Sequence, residues 1–213
     1  GLSTIFPERV INTPISEAAI VGMGTGLSIE GFRPFVEIMF GDFITLSFDQ
    51  IINHAAKFNQ MYNNQVEVNL VIRTPMGGRR GYGPTHSQTL DKHFMGIPGL
   101  QIIATNNLID PAEILETLTN SKCGPTLLLE NKLLYSCRLI DKVGEGFRIL
   151  KSSEKYPAVQ IQSLSRNIDI SIIAYGGMSQ TMVELQEVLF HEYDIVAQVL
   201  LPTKIYPFDL SLY

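Results

Sequence analysis

The chain has 213 residues, of which 45% are hydrophobic, and its 21 acidic against 16 basic side chains give a formal net charge of −5. That is enough apolar material for one large domain or one and a half ordinary ones. The negative balance argues against a general nucleic-acid binder, which needs a basic face to neutralise phosphates, and no apolar run is long enough to suggest a membrane span or a signal peptide. Two cysteines, Cys123 and Cys137, lack metal-ligand spacing and need no disulfide framework, which fits a reducing compartment.

In chain order, Gly1 to Val10 read as the middle of a fold, so a leader is expected to have been removed or left out. The stretch from Asn12 to Gly26 then predicts a helix beginning near Glu17: Thr13 and Ser16 are capping types, Pro14 suits a first turn, and Ala19, Ile20, Met23 and Leu27 recur at helical spacing. Glycines at 22, 24 and 26 each cost about 1 kcal/mol against alanine in a helix, which predicts another backbone packed very close to it. By itself Glu17 reads as an ionised, solvated charge at a helix start. Pro34 to Phe40 predicts a strand with Val36, Ile38 and Phe40 on one face, closed by Gly41 and Asp42. Phe43 to Met61 predicts a helix whose stripe is Phe43, Leu46, Ile51, Ala55, Phe58 and Met61. Val66 to Arg73 is a nearly continuous apolar run, as in a parallel strand buried on both faces. Further strands are expected at Leu100 to Ala104 and Thr126 to Glu130, with a helix near Pro111 to Asn120 between them. Repeated βα alternation predicts an α/β fold, a parallel sheet flanked by helices, with functional groups at strand ends and in the loops that follow.

Arg73 to Gln88 holds four glycines and two prolines, a loop too long for a mere connection. Arg79 and Arg80 match neither the P-loop nor the dinucleotide fingerprint, so a solvated pair or a partner contact is the better reading than a phosphate site. His86 ends this loop, where a histidine can be aimed into a cleft or can serve as an ordinary hydrogen-bonding residue. From Leu133 to Asn167 the chain is charged and aperiodic, a linker with room for short strands. The pattern then restarts: a strand at Ile168 to Ala174, a turn at Gly176-Gly177, Ser179 as a cap, a helix from Met182 to Phe190 and a strand at Tyr193 to Leu201. One βαβ unit is a poor domain alone, so it packs on the first domain or begins a longer one.

The blocks Thr13-Pro-Ile-Ser-Glu17, Phe35 to Gln50 ending in Phe48-Asp-Gln50, Thr85-His-Ser-Gln88 and Gly96-Ile-Pro-Gly99 occur together and in this order. With them the chain resembles the β subunit of the thiamine diphosphate-dependent decarboxylating component of 2-oxo acid dehydrogenase complexes, the pyruvate, branched-chain and acetoin group of transketolase-like enzymes. The resemblance covers about residues 8 to 135, and Ile172 to Gly177 resembles the start of the family's C-terminal transketolase domain. The implied organisation is a pyrimidine-binding domain at 1–135, a linker at 136–167 and an incomplete C-terminal-like α/β domain at 168–213.

The resemblance implies roles residue by residue. Glu17 matches the glutamate that hydrogen-bonds a ring nitrogen of the aminopyrimidine, where the shared proton favours the imino form that deprotonates the thiazolium carbon. Burial with a raised pKa is expected of it. Phe43 matches an aromatic packed on the pyrimidine ring and Met39 lines the same pocket; without the resemblance, ordinary core is an equal reading of both. His86 matches a histidine near the reacting carbon, placed to handle protons or the lipoyl acceptor, with the glycine-rich loop as part of the wall. Leu118, Thr119, Ser121 and Cys123 align with backbone carbonyls that hold a structural potassium in some relatives. The chain lacks a Gly-Asp-Gly followed after about 25 to 30 residues by Asn, the family's pattern for magnesium, an ion that needs oxygen ligands. The implied diphosphate and magnesium site therefore lies on an α-type partner. A heterotetramer with a second copy of this chain, a lipoyl acyltransferase and a 2-oxo acid substrate complete the implied set, with no nucleic acid and no membrane.

The implied location is cytoplasmic in a bacterium, and mitochondrial or plastid in a eukaryote. The family's C-terminal domain runs on well past the residues present after Asp169, so a truncated or partial chain is expected. Two alternatives stay open. One is the pyrimidine-binding half of another split thiamine enzyme, of transketolase or deoxyxylulose phosphate synthase type, in which Arg79 and Arg80 would meet sugar phosphates. The other is a non-catalytic relative, for which a buried Glu17 has no use.

Overall fold

The computed structural model describes residues 1–164 and 167–213; Ser165 and Arg166, at the end of the expected linker, lie outside the described residues. A short helix α1 (Leu2–Ile5) precedes α2 (Glu17–Ile29), which starts after Ser16 in extended backbone and stops before Gly31, whose φ is +89°. The buried face of α2 is Val21, Gly24, Thr25 and Ser28, not the expected stripe; Met23 and Leu27 are exposed. Gly24 explains the shift. A Cβ there would come within 2.7 Å of Val36 and 2.9 Å of Leu70, so the helix lies close against the sheet along this line. Gly22 and Gly26 lie on the exposed side, and a Cβ on Gly26 would meet nothing within 4 Å. The close approach expected for three glycines is made by one of them within this chain.

Next comes β1 (Phe35–Glu37), shorter than expected, although the Ile38 amide still donates to the Arg73 carbonyl at 3.0 Å. The region expected to be one helix is a 3₁₀ segment (Gly41–Ser47), a π segment (Gln50–Ala55) and α3 (Phe58–Met61). Changing the winding from three to more than four residues per turn breaks a 3.6-residue stripe. Ile44, Ile51, Ala55 and Ala56 are buried there, whereas Leu46 and Met61 are exposed. Strand β2 is Val71–Met76; pairing begins later than expected because residues before it are held by α2, whose Ser28 hydroxyl accepts from the Asn69 amide at 2.5 Å. Strand β3 (Gln101–Ala104), α4 (Pro111–Asn120) and β4 (Thr126–Asn131) follow. Helix α4 has the expected bounds: Asp110 caps it by accepting from the Ala112 amide at 2.9 Å, and proline stands at its first turn.

The stretch expected as a linker contains β5 (Phe147–Lys151) and β6 (Val159–Ser163), an antiparallel pair. They form a second sheet with β7 (Ile170–Ile173) and β8 (Ala197–Leu201), in the order β5-β6-β8-β7, and α5 (Ser179–Tyr193) connects the parallel pair β7 and β8. The final strand β9 (Lys204–Tyr206) returns to the first sheet, whose order is β1-β2-β4-β3-β9, parallel except for β9.

Alternation along β2, β3 and β4 puts Ile72, Ile102 and Leu127 on the α2 side with Val21, Ile44 and Phe94. On the other side, Val71, Ile103 and Leu128 share a core with Ile114 and Leu118 of α4 and with Val159, Ile161, Val199 and Leu201 of the second sheet. Each such side chain contributes about 1.5–3 kcal/mol on burial, so the second unit is welded to the first sheet's face by a shared core. Arg73 ties strands together from the first sheet, donating to Glu37 at 2.9 Å and to Glu130 at 2.7 Å. Among the described residues no helix is long and apolar enough to cross a membrane, and both cysteines are free.

Candidate active site

Four parallel strands send their carboxyl ends to one edge of the first sheet, where α/β folds place functional groups. Helix α2 joins that edge by its other direction of travel. Its Ser28 sits at the start of β2, so its first residue, Glu17, lies toward the carboxyl ends, about 16 Å further along at 1.5 Å per residue. Glu17 is half-buried, and its carboxylate has no hydrogen-bond or ion-pair partner among the described residues. The full burial expected of it is not supplied by this chain alone, since the side of α2 bearing Gly22 and Gly26 is open.

After β1 the chain passes Met39, which is 58% exposed, then Phe40 and Phe43, both half-buried. His86 closes the glycine-rich loop that follows β2, and its ring stands edge-on to Phe40 at 4.9 Å and to Phe43 at 5.3 Å between centroids. The structure thus brings Phe43 and His86, 43 positions apart by subtraction of their numbers, into one aromatic corner. Thr85 Oγ1 lies 3.1 Å from His86 Nδ1, so that nitrogen is engaged within the chain and Nε2 is the one left for a ligand.

Two residues that sequence reasoning gave no role complete this corner. Asp42 is buried; its Oδ1 accepts from the Gln88 amide at 3.0 Å and from Gln88 Nε2 at 3.1 Å. Lys132, just past β4, is also buried and donates to the His86 carbonyl at 2.6 Å. Asp42 stood only as a strand closer, and Lys132 was not singled out, since Glu130 and Asn131 separate it from the apolar part of its strand.

A cleft of about 640 Å³ opens beside the corner, between the ends of β2 and β4 and the turn at Gly176, with Gly77, Arg79, Asn131 and Tyr175 in its walls. Asn131 fills the gap between the two units: a Cβ on Gly77 would come within 2.7 Å of its amide nitrogen, and one on Gly177 would overlap it. Tyr175 Oη donates to Asp91 at 2.5 Å, and burial, then this bond, pushes its phenol up to about 12. Arg79 and Arg80 are exposed, and neither has an ion-pair partner among the described residues.

Leu118, Thr119, Ser121 and Cys123 lie away from this site, at the end of α4 and before β4 starts. The Thr119 carbonyl accepts from the Arg33 guanidinium, the Cys123 carbonyl from Gln101 Nε2 at 2.9 Å, and the Ser121 hydroxyl donates to the Thr117 carbonyl at 2.5 Å. A potassium ion on these carbonyls would share the Thr119 oxygen with Arg33 and the Cys123 oxygen with Gln101.

Residues 2–138 match the family described as transketolase, pyrimidine binding domain. The chain belongs to that family. Over 207 residues it is 34% identical to pyruvate dehydrogenase E1 component subunit beta-1, mitochondrial, of Oryza sativa subsp. japonica, covering 95% of this chain and 53% of the relative. Over 211 residues it is 32% identical to the beta subunit of acetoin:2,6-dichlorophenolindophenol oxidoreductase of Cupriavidus necator, covering 99% and 60%. The chain therefore spans between half and two thirds of these relatives' lengths. Among solved structures, a split gene transketolase described as an inactive beta4 tetramer superposes with a TM-score of 0.70 at 22% identity, covering 99% of this chain and 62% of the other. That likeness shows a shared fold. The transketolase-like pyrimidine-binding fold thus accounts for the first sheet with its covering helices, and its relatives with the greatest stated identity here are β subunits.

Proposed function

We propose that this chain is the pyrimidine-binding part of the β subunit of a 2-oxo acid dehydrogenase decarboxylating component. The observation that carries the reading is the Phe43–His86 corner at the carboxyl edge, toward which α2 runs to its first residue, Glu17, half-buried and without a hydrogen-bond or ion-pair partner among the described residues. A carboxylate left in that state fits a ligand that brings its own hydrogen-bonding nitrogen. Glu17 holds a proton against the ring nitrogen of the aminopyrimidine, and closure by a partner chain keeps water from that contact. Phe43 and Met39 pack on the ring and keep water from it. Thiamine diphosphate, when bound, supplies the electron sink that lets the 2-oxo acid lose carbon dioxide. His86 Nε2 moves a proton at the acyl acceptor, a lipoyl group on an acyltransferase.

The open side of α2, with Gly22, Met23, Gly26 and Leu27, supports docking of an α-type subunit that carries diphosphate and magnesium; a second copy of the chain completes a heterotetramer. The relatives named for pyruvate and acetoin enzymes favour this reading over a sugar-phosphate enzyme. The matching location is the cytoplasm of a bacterium or the mitochondrion or plastid of a eukaryote. The test is co-expression with the α-type partner and assay of 2-oxo acid decarboxylation with thiamine diphosphate and magnesium. Glu17→Gln is expected to cut turnover by at least ~100-fold with the fold intact, the low end for loss of a positioned proton-transfer group. Unchanged turnover in that variant removes Glu17 from the chemistry.

A further inference from the structure

Lys132 is 4% exposed, and a lysine is buried that deeply only where other groups answer its charge. Its partners converge on one place. Nζ donates to the His86 carbonyl at 2.6 Å and stands over the rings of Phe40, 4.9 Å from the centroid, and Tyr82, 5.7 Å from the centroid. Phe40 is the ring that also meets His86 edge-on, and Tyr82 lies on the same loop. Asp42 Oδ2 is 3.9 Å from Nζ, near enough for attraction and too far for a hydrogen bond, and it is a buried oxygen with no hydrogen-bond partner. Through its other oxygen Asp42 holds Gln88 twice, two residues beyond His86. The buried pair therefore grips the loop on both sides of the histidine.

Stability alone does not call for such a pair. Apolar side chains of similar volume would close the same space at no greater cost, because the desolvation of two charges offsets most of their attraction. What apolar packing cannot do is hold one carbonyl at one point. We infer that Lys132 is a positioning residue that fixes His86 at the carboxyl edge, acting through the His86 carbonyl and the Phe40–Tyr82 rings. This rests on the role proposed above for His86 in acyl transfer. A displacement of about 1 Å in such a group costs on the order of 100-fold in rate.

The experiment uses the full chain assembled with its α-type partner and compares Lys132→Met, Lys132→Gln, His86→Ala and Lys132→Met/His86→Ala. Lys132→Met is expected to lower kcat for transfer to a lipoyl acceptor on the order of 100-fold, with KM for the 2-oxo acid unchanged. Lys132→Gln, which keeps a donor for the carbonyl, falls between it and the parent, and the double variant loses no more than His86→Ala does. Deuterium exchange of residues 77 to 88 is expected to quicken about tenfold in Lys132→Met and to stay unchanged in α4. Parent-level kcat in Lys132→Met, losses that multiply in the double variant, or unaltered exchange in the loop would each overturn the inference. If His86→Ala alone leaves transfer intact, the role of His86 falls, and the exchange measurement still decides whether Lys132 holds the loop. Should Lys132→Met fail to fold because Asp42 is left buried without its partner, Lys132→Met/Asp42→Asn removes both charges and the same readouts apply.

Discussion

The two edges of the first sheet are built from similar residues and end in opposite states. At the amino edge most polar groups are answered within the chain, the buried Tyr156 hydroxyl beside Gln101 and Cys123 being an exception among the described residues. The Asn69 amide donates to the Ser28 hydroxyl and Asn69 Oδ1 accepts from the Cys123 amide at 3.2 Å, Gln101 Nε2 donates both to the Cys123 carbonyl and to Thr126 Oγ1 at 2.6 Å, and Lys122 pairs with Glu67 at 2.6 Å. Even the Gly99 turn is committed: with φ at +88°, it presses on the Ala56 backbone so closely that a Cβ would overlap the carbonyl. At the carboxyl edge Glu17 has no hydrogen-bond or ion-pair partner among the described residues, Met39 is exposed, and Asp42 keeps an oxygen without a hydrogen bond. Buried polar groups are ordinarily satisfied, so the unanswered groups gathered at the carboxyl edge mark a place for a ligand or partner.

Substitutions can break that contrast. The largest effect is expected from His86→Ala at the carboxyl edge, a fall on the order of 100-fold in acyl transfer with little change in melting temperature, read by comparing lipoyl transfer with decarboxylation alone. Transfer at the parent rate would return His86 to a structural role. On α2, Gly24→Leu is expected to cost about 1–3 kcal/mol by overpacking against Val36 and Leu70, whereas Gly26→Ala stabilises the isolated chain by up to about 1 kcal/mol. Denaturant titrations separate the two, and a weaker association of Gly26→Ala with the partner would tie the open side to assembly. At the amino edge, Gln101→Leu strips two acceptors of their donor and is expected to cost about 1 kcal/mol with turnover unchanged. Lost turnover in a folded Gln101→Leu enzyme would erase the distinction between the edges.

The smallest effect concerns Tyr175 and Asp91, which join the second unit to the first. The phenol's folded pKa, about 12, lies above its ordinary 10, so its contribution is complete below pH 10 and is lost as pH rises toward 12. Melting temperatures of the parent are expected to fall more steeply than those of Tyr175→Phe across that interval, and parallel curves would show that the bond contributes nothing.

Where periodicity and local chemistry agree, the fold was legible: α4 has its Asp110 cap, its proline and Ile114 and Leu118 four apart on the buried side, and it runs over the expected residues. The apolar runs of β3 and β4 were equally plain. Residues 43 to 61 misled because 3₁₀ and π winding carry no 3.6-residue period. Glu17 alone reads as a helix-start charge, and only the set of blocks around it raised a site. Lys132 and Asp42 were out of reach, because their bonds to His86 and Gln88 each span 46 positions and leave no trace in local spacing.

Strand β9 gives the molecule a late fastening. Until Lys204–Tyr206 has been synthesised, β3 ends the first sheet with its outer amides and carbonyls bare, an invitation to pair with a neighbouring polypeptide. A fragment cut after residue 138 would keep the matched family region and lose that cover. On the ribosome, the same strand makes completion of the first sheet wait until the chain has emerged through Tyr206.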